Sequence, residues 1–285
     1  MTIIKNRIKA APHAMGPINI NRIMPQKEIT PVGSFVFLDY IDQKLTPEQL
    51  PKPNGTLAHP HRGIATLTYL MNGEVTHLDS FKQQGTVSSG GVQWMKSGNG
   101  IVHDEWAKPI NNQLTALQFW INLSAQSKSE SPDYLAVHDK KLPRFSLSEK
   151  GSYLKVIVGE YKGVISPIPT DSQQLLLHIN LQAGERLTLN LNAEYEYAAF
   201  AANGTVEISD AKLEAKEQGF IKLNTEQINV MTKENIDLFI YGGEKYTDSI
   251  VASGPFVMNT QAEITTAYQD YHQGRYGEIN YQKLN

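Results

Sequence analysis

The sequence predicts an all-β protein, two tandem β-sandwich or barrel domains followed by one short C-terminal helix. Three features carry that expectation. Short runs of β-forming residues recur between turn signals, one strand–Asn-Gly–strand pattern occurs twice, and helix signals are confined to the chain beyond residue 259. The 285 residues suit two domains of about 150 residues each, or one large β-rich one. With 40% hydrophobic and 19% charged residues, the chain has the material for a core and too little charge for disorder.

Residues 1–30 are mixed and carry little periodicity, whereas residues 32–40 read as a strand. A loop bearing Pro47, Pro51, Pro53 and Gly55 comes next. Residues 66–71 and 74–79 flank Asn72-Gly73, and residues 197–202 and 205–210 flank Asn203-Gly204. Asn-Gly supplies the two positive-φ positions of a type I′ turn, so each set predicts a β-hairpin. A shift of 131 residues superimposes the two turns, Val75 on Val206 and Asp79 on Asp210, which reads as an internal duplication. Residues 124–132 are polar and Ser-rich, Pro143 punctuates the chain beyond them, and residues 153–158 start another strand. Domains are expected over 1–130 and 131–285. Thr260-Gln261-Ala262-Glu263 reads as a capping box, opening a helix of about 12 residues that stops near Gly274.

Composition removes several function classes. A net charge of −3, from 26 basic and 29 acidic residues with no dense basic run, argues against direct nucleic-acid binding. The absence of cysteine excludes disulfides, thiolate metal sites, iron–sulfur clusters and a cysteine nucleophile. No Gly-rich phosphate loop is present. The N-terminal residues lack the apolar core of a signal peptide, and no run approaches the ~18 apolar residues of a membrane span. A cytoplasmic, monomeric protein without membrane contact is the expectation.

Eight histidines bear on chemistry. His59-Pro60-His61 places two imidazoles at i and i+2, on one face of a strand, and Pro60 puts that strand at a sheet edge or barrel rim. His103-Asp104-Glu105 does the same with an imidazole and a carboxylate. Three neutral imidazoles and one carboxylate suit a first-row divalent metal and leave one or two positions open. Asp104 points the other way, toward the surface or behind the ligands. In the 131-residue register His59 falls on Asn190 and His61 on Asn192, so one metal is expected per chain, in the N-terminal copy. His77 reads as a buried, hydrogen-bonded histidine and Trp94 as core packing. Arg62 reads as an anchor between domains or a surface ion pair. His13, His138, His178 and His272 read as structural or solvated, and residues 254–260 as a segment docking the helix.

His59-Pro60-His61-Arg62-Gly63, Gly91-Val92-Gln93-Trp94-Met95, the stretch from Gly98 to Glu105 and the stretch from Gly254 to Thr260 resemble the signature segments of the pirins, a branch of the cupin superfamily. The resemblance runs from about Phe35 to the last helix. It implies two tandem cupin β-barrels (double-stranded β-helices), with metal bound only by the first. The family's ligands match His59, His61, His103 and Glu105. The usual metal is iron; the donor set also accepts nickel, copper, manganese or zinc. Some pirins are quercetin 2,3-dioxygenases, which open a flavonol with dioxygen and release carbon monoxide; Glu105 then matches ligand and general base. Others resemble metal-responsive regulatory proteins that bind a transcription factor or enzyme. Ala65 stands where pirins often carry Glu, which puts in doubt any proton-transfer role there. A zinc hydrolase is disfavoured, because Arg62-Gly63 follows His61 in place of the His-X-His-X-Asp-His pattern.

Overall fold

The computed structural model describes residues 3–27, 30–50, 52–223 and 226–284. Strands form where alternate residues are apolar, as a pleated chain requires. In Gln174–Leu181, for example, Leu175, Leu177, Ile179 and Leu181 all enter one core cluster. Two compact units result. One comprises Met1–His13, Asn21–Tyr40 and Lys140–Tyr246, the other Ala14–Ile20, Ile41–Asp139 and Thr247–Asn285. The division is thus interleaved along the chain rather than cut once after residue 130. Strand pairing explains part of it: Ile3–Lys9 hydrogen-bonds to Glu217–Lys222 in the first unit. The C-terminal helix belongs with the second, where Phe256, Met258, Ile264, Ala267 and Tyr276 form a satellite core against Val102.

The second unit contains a four-stranded antiparallel sheet in the order His59–His61, Ile101–Lys108, Glu74–Asp79, Gln84–Ser88. Its partner sheet includes, in order, Asp133–Val137, Val92–Lys96, Ile64–Asn72 and Gln113–Asn122. Val75 and Val87 from the first sheet share a core cluster with Leu70, Leu114 and Ala116 from the other, so the two pack face to face. The first unit repeats the plan. Arg186–Asn190, Gln227–Thr232, Val206–Ile208 and Ala211–Leu213 form the small sheet, and Glu217–Lys222, Glu196–Ala201, Ile236–Gly243 and Gln174–Leu181 lie in the large one.

Neither Asn-Gly pair closes a hairpin. Ile64–Asn72 pairs within the large sheet and Glu74–Asp79 within the small one, so Asn72-Gly73 is a corner between sheets. Asn203-Gly204 makes the same passage from Glu196–Ala201 to Val206–Ile208. Only the glycine is left-handed at each corner, with φ of 127° at Gly73 and 59° at Gly204, whereas a type I′ turn needs two such residues. The asparagines are there for their side chains. Asn72 Nδ2 donates to the carbonyls of Ile110 and Gln113, and Asn203 Oδ1 accepts from the Asp237 N–H. The same corner in both units is what a duplication leaves behind.

The helix Gln261–His272 lies where the capping box placed it: the Glu263 N–H donates to Thr260 Oγ1 and the Thr260 N–H to Glu263 Oε2. Tyr153–Val158 is likewise the expected strand. Strands at Ile3–Lys9, Ala11–Met15 and Ile18–Met24 lie outside the expected set, and the strand expected over 32–40 is Phe35–Lys44. No helix among the described residues is long and apolar enough to cross a membrane.

Candidate metal centre

The four residues singled out in the sequence lie on one face of the small sheet of the second unit. Pairing sets His103 opposite His59 on one side and opposite Asp79 on the other, and Glu105 opposite His77. His59–His61 is the edge strand, where Pro60 costs no ladder hydrogen bond. The ligand atoms of His59, His61 and His103 all lie within 4.8 Å of one another. His59 Nε2 and His103 Nε2 are 3.1 Å apart. Two nitrogens bound at ~2.0–2.1 Å to one ion sit about 2.9–3.4 Å apart between octahedral and tetrahedral angles. Glu105 falls within the same 4.8 Å limit of His103 and His77, in a second group that shares His103 but excludes His59 and His61.

Backbone carbonyls choose the tautomers. His59 Nδ1 lies 2.8 Å from the Leu57 carbonyl and His61 Nδ1 lies 3.1 Å from that of Pro255. A carbonyl only accepts, so both rings carry a proton on Nδ1, which leaves Nε2 as the nitrogen that can ligate. Burial drives the His61 pKa well below its usual value, with His59 adding to the effect against the Pro255 carbonyl. Burial does the same at His103, reinforced by His59, His61 and His77. These two imidazoles are therefore neutral and can donate to a cation. His103 Nδ1 is buried with no hydrogen-bond partner among the described residues, a nitrogen free to take the proton when Nε2 binds an ion. The cluster can hold a metal ion.

Glu105 is held by amides. Gln93 Nε2 donates to its Oε1 at 2.6 Å, Gln118 Nε2 to its Oε2 at 3.4 Å, and Tyr134 OH donates to Gln93 Oε1 at 3.1 Å. Burial, then the charges of Glu105 and Asp79, push the Tyr134 phenol upward, so it stays a neutral donor. Tyr134 stacks on His77 at 4.2 Å. His77 is fully buried and its Nε2 lies 2.9 Å from Asp79 Oδ2, matching the hydrogen-bonded histidine expected there. The sequence reading missed Gln93, Gln118, Tyr134 and Asp79. Strand parity could have flagged Gln93, because it alternates with Trp94, which is buried as expected. No sequence signal announces the Pro255 carbonyl.

Asp104, Arg62 and Ala65 take definite places. Asp104 does point away from the ligands, yet it is buried: its Oδ2 accepts from the Gly55 N–H and the Tyr281 hydroxyl. Arg62 pairs with Asp270 on the C-terminal helix at 2.7 Å. Ala65 has the opposite parity to Thr68 and Leu70, which line the cavity at the site, so it faces away and leaves the cluster untouched.

That cavity, about 270 Å³, opens on His59, Glu105, Gln118 and Thr68; its other walls are apolar, among them Ile18, Ile41, Leu70, Val75 and Leu114. Among its described residues the first unit offers no such face. Val75 lies opposite Ala107 and Val206 opposite Thr232; two and four residues back along those partners, Glu105 matches Val230 and His103 matches Ile228. Crossing to the edge strand, His59 matches Leu189, and across the other pairing His77 matches Ile208. All four replacements are buried in that unit's core. The expected amides, Asn190 and Asn192, are exposed. The edge strand is offset by one residue from the 131-residue register, and one residue reverses which side chains face inward.

Two duplicated double-sheet units, one bearing a histidine cluster that could hold a metal ion beside an apolar cavity, define a bicupin. Family comparison makes it specific. Residues 18–121 match the model described as Pirin and residues 176–277 the one described as the Pirin C-terminal cupin domain. The chain is 33% identical to Pirin-like protein 2 of Arabidopsis thaliana, over 79% of this chain and 72% of that one. It is 30% identical to a pirin-like protein of Solanum lycopersicum, over 90% and 87% respectively. The crystal structure of quercetin 2,3-dioxygenase from Acinetobacter baumannii superimposes with a TM-score of 0.91 at 29% identity, covering 98% of this chain and all of that one. The chain belongs to the pirin family.

Proposed function

We propose that this pirin binds one divalent metal ion, iron in its working form, through His59, His61, His103 and Glu105, and uses it to cleave flavonols such as quercetin with dioxygen. The observation that carries this reading is the convergence of three imidazoles, one of which, His59, opens together with Glu105 on an apolar cavity. Likeness to a quercetin 2,3-dioxygenase at 29% identity supports it. A bound divalent ion supplies Lewis acidity, which lowers the pKa of a hydroxyl that it holds.

The protein's own groups do the rest. Apolar walls receive the aromatic rings and exclude water, and Gln118 and Thr68 are the cavity's polar anchors besides His59 and Glu105. Glu105 accepts the flavonol 3-hydroxyl proton, with Gln93 and Gln118 holding its carboxylate in place. Leu57 and Pro255 keep the His59 and His61 lone pairs available.

Metal-loaded protein in air should bleach quercetin absorbance and release carbon monoxide, with neither change under anaerobic conditions. His61→Ala should abolish both. Turnover that survives His61→Ala defeats the reading, and metal uptake without turnover of any flavonol leaves a metal-responsive regulatory protein instead.

A further inference from the structure

The segment Pro255-Phe256-Val257 runs along the ligand strand and is hydrogen-bonded to it. The Val257 N–H donates to the Arg62 carbonyl at 3.1 Å, and Arg62 and Phe256 form a parallel bridge. His61 Nδ1 donates to the Pro255 carbonyl. Gly63 lies so close beneath that a Cβ there would sit 2.0 Å from Val257 O.

One cation is directed at this segment, and a second ties the ligand strand to the helix that follows it. Lys128, only 3% exposed on the short 3-10 turn Ser127–Ser129, donates its ammonium to the Val257 carbonyl at 3.0 Å. Burial lowers its pKa to about 8, against the pull of Glu263 and Asp248. Arg62, on the ligand strand, pairs with Asp270 on the helix that follows the segment. A lysine is seldom buried without a purpose that outweighs its desolvation. Here the ammonium is directed at a carbonyl two residues from the one that orients His61.

We propose that Lys128 and Arg62 are positioning residues for the metal ligand His61: they clamp residues 255–257 so that the Pro255 carbonyl holds the His61 Nδ1 proton and aims Nε2 at the ion. The proposal rests on the metal reading above and adds residues far from it in sequence. Partners that orient a ligating histidine typically contribute 10–100-fold to metal affinity. Trp120, whose ring centroid lies 5.0 Å from that of His61, supplies an optical report of that ring's surroundings.

The test compares the full chain with Lys128→Met, which keeps the aliphatic stem, and Asp270→Asn, which removes the charge that Arg62 pairs with. Iron(II) and zinc affinities are measured by chelator competition, followed by tryptophan fluorescence, and the His61 tautomer is read from imidazole ¹⁵N shifts of metal-free protein. Lys128→Met should weaken metal binding roughly 10-fold or more and Asp270→Asn several-fold. The His61 signal should move from pure Nδ1–H toward a mixture of tautomers in both. Unchanged affinity and an unchanged His61 signal in folded Lys128→Met overturn the proposal. If that variant fails to fold, unchanged values in Asp270→Asn overturn it. Should the wild type take up no metal, the metal reading fails, and the His61 tautomer still decides the clamp.

Discussion

Replacing Gly63 by alanine tests how tightly the C-terminal segment is pressed onto the ligand strand. The residue has φ of 82°, and the new Cβ would lie 2.0 Å from Val257 O and 2.8 Å from Met258 Sδ. Ordinary contact begins near 3.4 Å, so the carbonyl must retreat by more than an ångström. That retreat breaks the bond from the Val257 N–H to Arg62 O and the one from Lys128 Nζ to Val257 O. A neutral hydrogen bond contributes about 0.5–1.5 kcal/mol and one to a charged group about 1.5–3. Left-handed backbone on a residue with a Cβ costs roughly 1–2 kcal/mol more. The expected loss is therefore about 3–6 kcal/mol. Urea unfolding followed by tryptophan fluorescence is the assay. Trp94, Trp106 and Trp120 all belong to the unit that carries the segment, so the signal reports that unit alone. A loss under about 1 kcal/mol with an unchanged denaturant slope would refute the reasoning.

Gln93→Leu strips Glu105 Oε1 of its donor and Tyr134 of its acceptor, so metal affinity should fall about 10–100-fold in a chelator competition; equal affinity would show that the amide does not hold the carboxylate. Thr260→Ala removes the helix cap and should cost about 1 kcal/mol in urea unfolding, with a Ser replacement restoring it. Lys128 has a folded pKa near 8, below its ordinary 10.5, so the unfolded chain binds more protons across that interval. The stability of wild type relative to Lys128→Met should therefore rise from pH 8 to 10.5 and stay flat below it; a difference falling over that interval contradicts the burial.

Much of the site was legible because it obeys local rules. Two side chains at i and i+2 on a strand share a face whatever surrounds them, which is why His59 pairs with His61, and His103 with Glu105, from spacing alone. The helix cap is equally local, involving Thr260 and Glu263 alone. What failed required knowledge of distant partners. Asn72-Gly73 has the composition of a hairpin turn, yet the strands on either side find better partners in different sheets. The corner needs only one left-handed residue, and the asparagine side chain serves carbonyls about 40 residues away. The strands at Ile3–Lys9 and Ala11–Met15 gave little periodicity because their exposed and half-buried positions carry mixed side chains.

The copy-to-copy comparison shows how a single residue of register changes an inference. A uniform shift puts amides opposite the ligands and suggests a polar remnant of the site. Strand pairing puts Leu189, Ile228 and Val230 there instead, all buried. Once a donor set no longer holds a cation, neutral imidazoles would remain as unsatisfied polar groups in a core, and hydrocarbon of similar volume removes that cost. Asp104 carries the same lesson. Parity gives its direction, but the C-terminal Tyr281 that covers it lies far along the chain.

The most direct measurement is X-ray absorption at the metal edge, with metal content per chain, on wild type and His103→Ala. The account predicts one ion per wild-type chain, surrounded by imidazole nitrogens and at least one oxygen, and loss of that ion in His103→Ala. A wild-type chain that takes up no ion, or a variant that keeps the same ion in the same nitrogen-rich shell, would contradict it.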